Sequence, residues 1–329
     1  MPTYKVIKLK NLTPLHIGTG KENYDFSSTE LQSDTLSAAL AALRAHKGLS
    51  YDLDSFLESF ILSSAFPFWE DRYFMPKMQG KIAVDIKGEE EHVSRKKLKK
   101  VKFIERDIWL KLIHGEHVII DKHQLQDEFV TFSNTLGILH SKGVVSQRVS
   151  VPRGEQGNAE PFFFEWKFFN PRGGLFCLLK CDDNLLDEII ELFKLLGENG
   201  LGTDKNIGGG KFEVDTAEFD LPEINDDTHK MLLSSYIPTE DELDNIDLTQ
   251  SKYNLILRGG FIAGSSEVNF RHLRKNSVYM FTVGSVFNCQ SELRGKIVDL
   301  KPDWDNSKMH SVYRSGLAFS IPVKIVENE

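Results

Sequence analysis

From Gly200 to Gly210 the chain reads GLGTDKNIGGG, five glycines in eleven residues, with Lys205 inside the stretch and Lys211 closing it. Glycine admits positive φ and lets another molecule approach the backbone closely. Backbone N–H groups and ammonium groups together are the chemistry that cradles phosphate. The nucleotide phosphate loop is the first motif to test, and it fails. That motif needs Gly, four residues, then Gly-Lys-Ser/Thr, passing from a strand into a helix. Here Lys205 stands five residues before Gly210, and Phe212 follows Lys211. The order is also inverted: an apolar helical pattern over 184–196 precedes the loop, and the strand-like KFEV follows it. On the residues alone two readings stay open. One is a helix C-cap followed by turns; the other is a loop whose backbone touches a ligand.

The elements around that loop can be read along the chain. YKVIKLK, residues 4–10, alternates as a strand. NLTPLHIGTG is then a loop holding Pro14, His16, Gly18 and Gly20. LQSDTLSAALAALRAHKG reads as a helix, with Ser33 or Asp34 at the N-cap and Gly48 at the end. FPFWEDRYFMP reads as a hairpin around Glu70 and Asp71, closed by Pro76. Residues 77–160 differ in character and read as an insertion. They contain the charged KGEEEHVSRKKLKKVKF, a short helix in IERDIWLKLIHG, and a long hairpin arm. In the arm, VVSQRVSV returns as FFFEWKFF across PRGEQGNAEP. The core resumes with the strand GGLFCLLKC, the helix DDNLLDEIIELFKLLG, the glycine loop and the strand KFEVD.

Without the insertion the order is strand, helix, strand, strand, helix, strand, which is the split βαβ or ferredoxin-like order. IPTEDELDNIDLTQ reads as a linker or a solvated edge, and strands dominate from Ser251. The expected architecture is α+β, with two ferredoxin-like (RRM-like) domains. The first covers 1–245, with the inserted β-hairpin thumb at about 77–160 and the glycine-rich loop at 200–211. The second covers 246–329.

Composition sets limits on function. A chain of 329 residues makes one large or two ordinary domains, and 40% hydrophobic content supplies a core. No run of about 18 apolar residues is present, so no membrane span is expected. MPTYKVIKLK is a strand pattern rather than a signal peptide. The three cysteines, Cys177, Cys181 and Cys289, suit a reducing cytoplasm and form no disulfide framework. Cys177 and Cys181 lack Cys-x-x-Cys spacing and read as strand-face packing rather than zinc ligands. No metal or cofactor is expected. A net charge of −8 is unlike a free-standing nonspecific nucleic-acid binder. It suits an RNA binder that relies on specific contacts or on partner subunits.

Three features now stand together: LHIG followed by a helix opening at SDTLSAAL, a ferredoxin-like order with GLGTDKNIGGGKF before its last strand, and an arm reading RVSVPR through EPFFFE. This set resembles the RAMP superfamily of CRISPR-associated RNA-binding proteins, whose signature is a glycine loop before the last strand. SVYRSGLAFSIPVKI, FTVGSVF and the chain length resemble most the type III-A (Csm) effector subunit that holds the crRNA 5′ handle. The resemblance spans essentially the whole chain. It implies a non-catalytic subunit that binds the repeat-derived 5′ tag of the crRNA. It implies contacts with the large polymerase-type subunit and a backbone RAMP subunit. The arm would act as a thumb kinking the guide. The loop departs from the arginine-containing version common in the superfamily, since it carries Lys205-Asn206-Ile207.

On that resemblance the expected RNA contacts are these. In the loop, Gly208, Gly209 and Gly210 offer backbone N–H groups, and Lys205 and Lys211 neutralise phosphates. His16 and Gly18 lie in the loop after the first strand. His16 is a satisfied structural histidine, an RNA contact, or a general acid or base in a metal-independent repeat-processing endoribonuclease. Ser33 and Asp34 cap the first helix and offer its N-terminus as a phosphate seat. Arg148 and Arg153 on the arm are surface charges or RNA contacts by pairing and stacking. Phe162–Phe164 and Trp166 read as packing of the returning strand. The run Arg95–Lys102 is a solvated face or an aid to binding. Arg258 and Arg314, each near glycine at a strand end, are candidate RNA or subunit contacts. A purely architectural subunit is the remaining reading.

Overall fold

The computed structural model describes residues 2–18, 24–28, 30–49, 52–132, 140–151, 158–224, 228–262, 265, 267–304 and 308–325. The elements that frame the site are β1 (Thr3–Lys10), α1 (Ser33–His46), β2 (Phe66–Trp69) and β3 (Arg72–Pro76). They continue with β4 (Ser141–Ser150), β5 (Glu160–Phe169), β6 (Gly173–Cys181), α2 (Asp183–Asn199) and β7 (Glu213–Asp220). The fold is α+β, with one large sheet and few helices.

The large sheet runs β7-β1-β6-β2-β3 and continues through Phe103–Glu105, Phe129–Val130 and Leu125–Gln126. Strands β7, β1, β6, β2 and β3 pair antiparallel throughout. Alternation sends successive side chains to opposite faces. Ile7 and Leu9 of β1, with Leu175, Cys177 and Leu179 of β6, pack against α1 and α2. Val6, Phe176 and Leu178 point the other way, into a core that includes Met231, Leu233, Phe319 and Val323 from the C-terminal part of the chain. The sheet is therefore covered on both faces, which is why GGLFCLL, residues 173–179, is an unbroken buried run. Each such fully buried Leu, Ile or Phe contributes about 1.5–3 kcal/mol. The expected strand-face packing of Cys177 is met.

The short hairpin forms as expected, with Trp69 opposite Arg72 and Phe68 opposite Tyr73 across Glu70 and Asp71. The long hairpin also forms, from Ser141 opposite Phe169 to Ser150 opposite Glu160. Its turn at 152–157, which carries Arg153, lies outside the described residues.

One local expectation is corrected, and two segments gain detail. Helix α1 begins at Ser33, and its N-cap is Gln32, with no side-chain capping bond. Tertiary partners take the side chains that would have capped it: the Ser235 N–H donates to Ser33 Oγ at 3.0 Å, and Asp34 is ion-paired. The charged KGEEEHVSRKKLKKVKF contains a helix, Glu91–Leu98, steadied by an Arg95–Glu91 pair at 2.6 Å. Of the two readings of IPTEDELDNIDLTQ, linker or solvated edge, the edge is the one found. It holds the helix Glu240–Asp244, with a reciprocal Thr239–Glu242 capping box, and the edge strand Asp247–Lys252.

The C-terminal sheet has the order Asp247–Lys252, Val286–Asn288, His229–Leu232, Ser320–Pro322. It draws on strands from both sides of the expected 245/246 boundary. Among the described residues, no helix is long and apolar enough to cross a membrane.

Candidate nucleic-acid interface

The glycine loop leaves α2 at Gly200 and folds back on the segment that follows β1. Gly210 N–H donates to Pro14 O at 2.9 Å, and Thr203 N–H donates to His16 O at 3.0 Å. Thr13 Oγ1 donates to Gly208 O at 2.8 Å and accepts from Lys211 N–H at 2.7 Å. Close approach explains much of the glycine content. A Cβ on Gly202 would lie 2.2 Å from His16 O, and one on Gly210 would lie 2.1 Å from Leu201 O. Both residues also have positive φ, at 76° and 65°. Gly209 lies under the Trp166 ring, 2.7 Å from where its Cβ would be. Gly208 differs: its φ is 91°, and a Cβ there would meet nothing within 4 Å.

This corrects the expected chemistry of the loop. The N–H groups of Gly208, Gly209, Gly210 and Lys211 do not point outward. They donate to Lys205 O, Asp204 O, Pro14 O and Thr13 Oγ1. What the loop presents outward is the open face of Gly208 and the exposed side chains of Lys205, Asn206, Ile207 and Lys211. Ile207 is 72% exposed.

The base of the long hairpin completes the surface. Leu15 and Lys167 exchange backbone hydrogen bonds at 2.9 Å each. Arg148 pairs with Asp204 of the loop and lies over the Phe164 ring, 3.8 Å from its centre. Trp166 lies 5.3 Å from the same guanidinium. Such cation–π contacts contribute about 0.5–2 kcal/mol. The aromatic run splits: Phe164 is buried, while Phe163 is 56% exposed. Glu165 holds the entry segment, accepting from Ser27 N–H at 2.7 Å and from Lys167 Nζ at 2.9 Å. Burial would raise the Glu165 carboxyl, but these two donors outweigh it and hold it below the usual range.

His16 is enclosed in this junction and only 1% exposed. Its Nδ1 lies 2.8 Å from Glu165 O, and its ring lies 4.4 Å from Phe164 and 6.2 Å from Tyr24. Gly18 is exposed near the loop entrance. His16, Gly18, Arg148, Lys205, Gly208, Gly209, Gly210 and Lys211 therefore belong to one neighbourhood.

Ser33, Asp34, Arg258 and Arg314 form a second cluster. Asp34 is fully buried. It accepts from Arg258 Nε at 3.0 Å and Nη2 at 3.2 Å, and it pairs with Arg314 Nη1. Arg258 also donates to Thr35 Oγ1 at 2.8 Å. These groups join the start of α1 to the strands ending at Arg258 and carrying Arg314. The Arg95–Lys102 run is partly neutralised, by Glu91 on Arg95, Glu89 on Lys97 and Glu128 on Lys102. Sequence reading missed Thr13 and Asp204. Asp204 is the one acid in the loop and was legible as a partner for an arginine; Thr13 carried no signal.

Comparison with known proteins gives the chain its class. Residues 8–213 match the RAMP superfamily, and the chain belongs to it. Residues 225–323 match the CRISPR Csm4 C-terminal domain, so the likeness extends to one kind of member. The Csm4 protein of Mycobacterium tuberculosis (strain CDC 1551) is 30% identical over 158 residues, 47% of this chain and 50% of that protein. The chain thus spans about half the length of that relative. The Csm4 proteins of Thermococcus onnurineus and Streptococcus thermophilus are 22% and 26% identical, and the alignments cover 98% or more of every chain. A chain in the crystal structure of a Csm1-Csm4 cassette with cA4 superposes with a TM-score of 0.63 at 18% identity, covering 99% of this chain and 100% of that one. A chain of a Csm3-Csm4 subcomplex from a type III-A interference complex gives 0.60 at 20% identity, covering 97% and 99%. These two structures share the fold.

Proposed function

We propose that this chain is the Csm4-type subunit of a type III-A effector complex and holds the repeat-derived 5′ tag of the crRNA. The observation that carries this reading is the junction of three elements. The glycine loop, the 13–16 segment and the long hairpin are tied together by Arg148–Asp204 and by Thr203 N–H to His16 O. The elements that resemble RAMP RNA contacts thereby form one continuous surface. Lys205 and Lys211 meet phosphates there by charge, and the open face of Gly208 admits close backbone approach. The long hairpin acts as the thumb.

The strand order β7-β1-β6-β2, with α1 and α2 packed on one face, supports a ferredoxin-like N-terminal unit. The C-terminal unit has a four-stranded antiparallel sheet, and its ferredoxin-like reading rests on that sheet. We place the boundary between units near residue 225, where the Csm4 C-terminal match begins. Ser33, Asp34, Arg258 and Arg314 then act as the clasp between units rather than as RNA contacts. The relatives solved as Csm1-Csm4 and Csm3-Csm4 assemblies support docking on the large polymerase-type subunit and on a backbone RAMP subunit.

The subunit acts by holding RNA, without catalysis of its own. An endoribonuclease would need His16 to reach solvent, and its ring is enclosed with Nδ1 engaged by a carbonyl. The test is tag-dependent crRNA retention by the co-expressed complex, with Lys205 and Lys211 reversed in charge.

A further inference from the structure

Helix α2 ends on Asn199, and Gly200 caps it and opens the glycine loop. Asparagine is among the chemically labile residues. In Asn-Gly the following residue obstructs its side chain least, since glycine has no Cβ. One new bond, from the Gly200 nitrogen to Asn199 Cγ, would close a five-membered ring. Asn199 is exposed, so water reaches its side chain. In the closed helix end two hydrogen bonds oppose ring closure. Gly200 N–H donates to Leu196 O at 2.8 Å, and Asn199 Nδ2 donates to Leu195 O at 2.8 Å.

This helix end is weakly built. Gly197, a poor helix former, lies in its last turn. A Cβ there would lie 2.2 Å from Phe212 O, so the chain leaving the loop requires glycine at that position. Glu198 puts a negative charge at the negative end of the helix dipole, and no basic residue stands in the last turn to offset it. The last turn is where a helix opens most readily. The loop in turn is seated on this end. Leu201 N–H donates to Gly210 O at 2.9 Å, and Phe212 N–H donates to Gly197 O at 3.2 Å. A Cβ on Gly200 would lie 2.4 Å from Gly209 O.

We infer that Asn199 is a site of spontaneous covalent modification, admitted by opening of the last turn of α2, and that its products release the glycine loop from the helix. The Gly200 nitrogen loses its proton to hydroxide and attacks Asn199 Cγ. The Cγ–Nδ2 bond breaks and ammonia leaves, which closes a cyclic imide. Water then opens the imide at either carbonyl. One product is aspartate; the other is isoaspartate, in which the main chain runs through the side chain and gains a methylene. Net, one water is consumed and one ammonia released, with no change of oxidation state. Either product adds a second negative charge beside Glu198 at the helix end. The extra methylene also carries Gly200 N–H away from Leu196 O and unseats Leu201 from Gly210 O. Loss of guide RNA by the modified chain rests on the RNA-holding reading of the loop; the modification itself does not.

Ageing the purified full chain in mildly alkaline buffer, beside the same chain in urea, tests this. Peptide mapping reads aspartate and isoaspartate at position 199, and brief trypsin treatment reads cleavage after Lys205 in the loop. We expect conversion at 199 in the folded chain, about tenfold or more slower than in the unfolded one. Cleavage after Lys205 should be several-fold faster in aged than in fresh wild type. Asn199→Gln, whose ring closure would need a less favoured six-membered ring, should age without either change. The fresh and aged wild-type comparison decides alone if that variant does not fold. Three results overturn the inference: an intact amide at 199 in the folded chain while the unfolded chain converts, equal rates in the two, or conversion without faster cleavage after Lys205. Tagged-guide retention by the co-expressed complex, fresh and aged, keeps the two readings apart. A fresh complex that does not retain tagged guide contradicts the RNA-holding reading alone, and mapping and cleavage still decide the modification. An aged complex converted at 199 that retains guide as well as the fresh one contradicts the release of the loop.

Discussion

Arg148 of the long hairpin is ion-paired with Asp204 of the glycine loop, 56 positions further along the chain. The pair fixes the base of the long hairpin against the loop. Its side chains are 27% and 29% exposed, so water screens part of the attraction. Its main effect is geometric: it sets where the Lys205 and Lys211 ammonium groups lie relative to the hairpin.

A double-mutant cycle with Arg148→Ala and Asp204→Asn should give a coupling of about 0.5–1 kcal/mol in urea unfolding. Guide retention by the assembled complex should fall several-fold more than this coupling implies. Strictly additive effects on both readouts would show that the two residues do not act together.

The buried cluster should behave in the opposite way. Asp34→Asn leaves Arg258 and Arg314 without a full counter-charge, and unfolding free energy should drop by about 3–5 kcal/mol. Chemical denaturation measures it. A loss under about 1 kcal/mol would mean that water reaches these arginines.

The loop glycines should separate by position. Gly210→Ala brings a Cβ to 2.1 Å from Leu201 O at a φ of 65° and should sharply lower the melting temperature. Gly208→Ala meets open space at a φ of 91° and should cost only about 1 kcal/mol. Thermal melts of the two variants settle the order. Equal losses would remove the packing explanation for the loop.

Glu165 makes stability depend on acidity. Its folded carboxyl is held below its unfolded value, so its contribution is present above the unfolded range and is lost as pH falls through the folded one. Wild type should therefore lose more stability than Glu165→Gln between about pH 5 and pH 3. Parallel urea titrations across that window check it.

The sequence carried the local pattern well and the long-range chemistry poorly. Alternation in YKVIKLK placed Ile7 and Leu9 on one face and Val6 on the other, as found. Both hairpins were legible because register follows from alternation and a turn. The Asp34–Arg258 contact spans 224 positions, and nothing in local spacing points to it. An arginine beside glycine reads alike whether it faces RNA or a buried carboxylate. The 91–98 helix was hidden by its charge, since only Ser94 and Leu98 are buried. The ordering of 239–252 was hidden by acidity, although Thr239 with Glu242 is a capping box that could have been read. The glycines suggested free amides; Gly208 and Gly209 donate within the loop, to Lys205 O and Asp204 O, while Gly210 and Lys211 donate to Pro14 O and Thr13 Oγ1, far away in the chain.

The most direct measurement is crRNA retention by the co-expressed effector complex carrying Lys205→Glu and Lys211→Glu together, compared with wild type, using guides with and without the 5′ tag. Phosphate contacts by these two lysines predict that tagged guide is retained at least about tenfold less at physiological salt, with subunit assembly unchanged. Equal retention of tagged guide by the variant and by wild type, in complexes of identical composition, would contradict the assignment of the glycine-loop surface to the RNA.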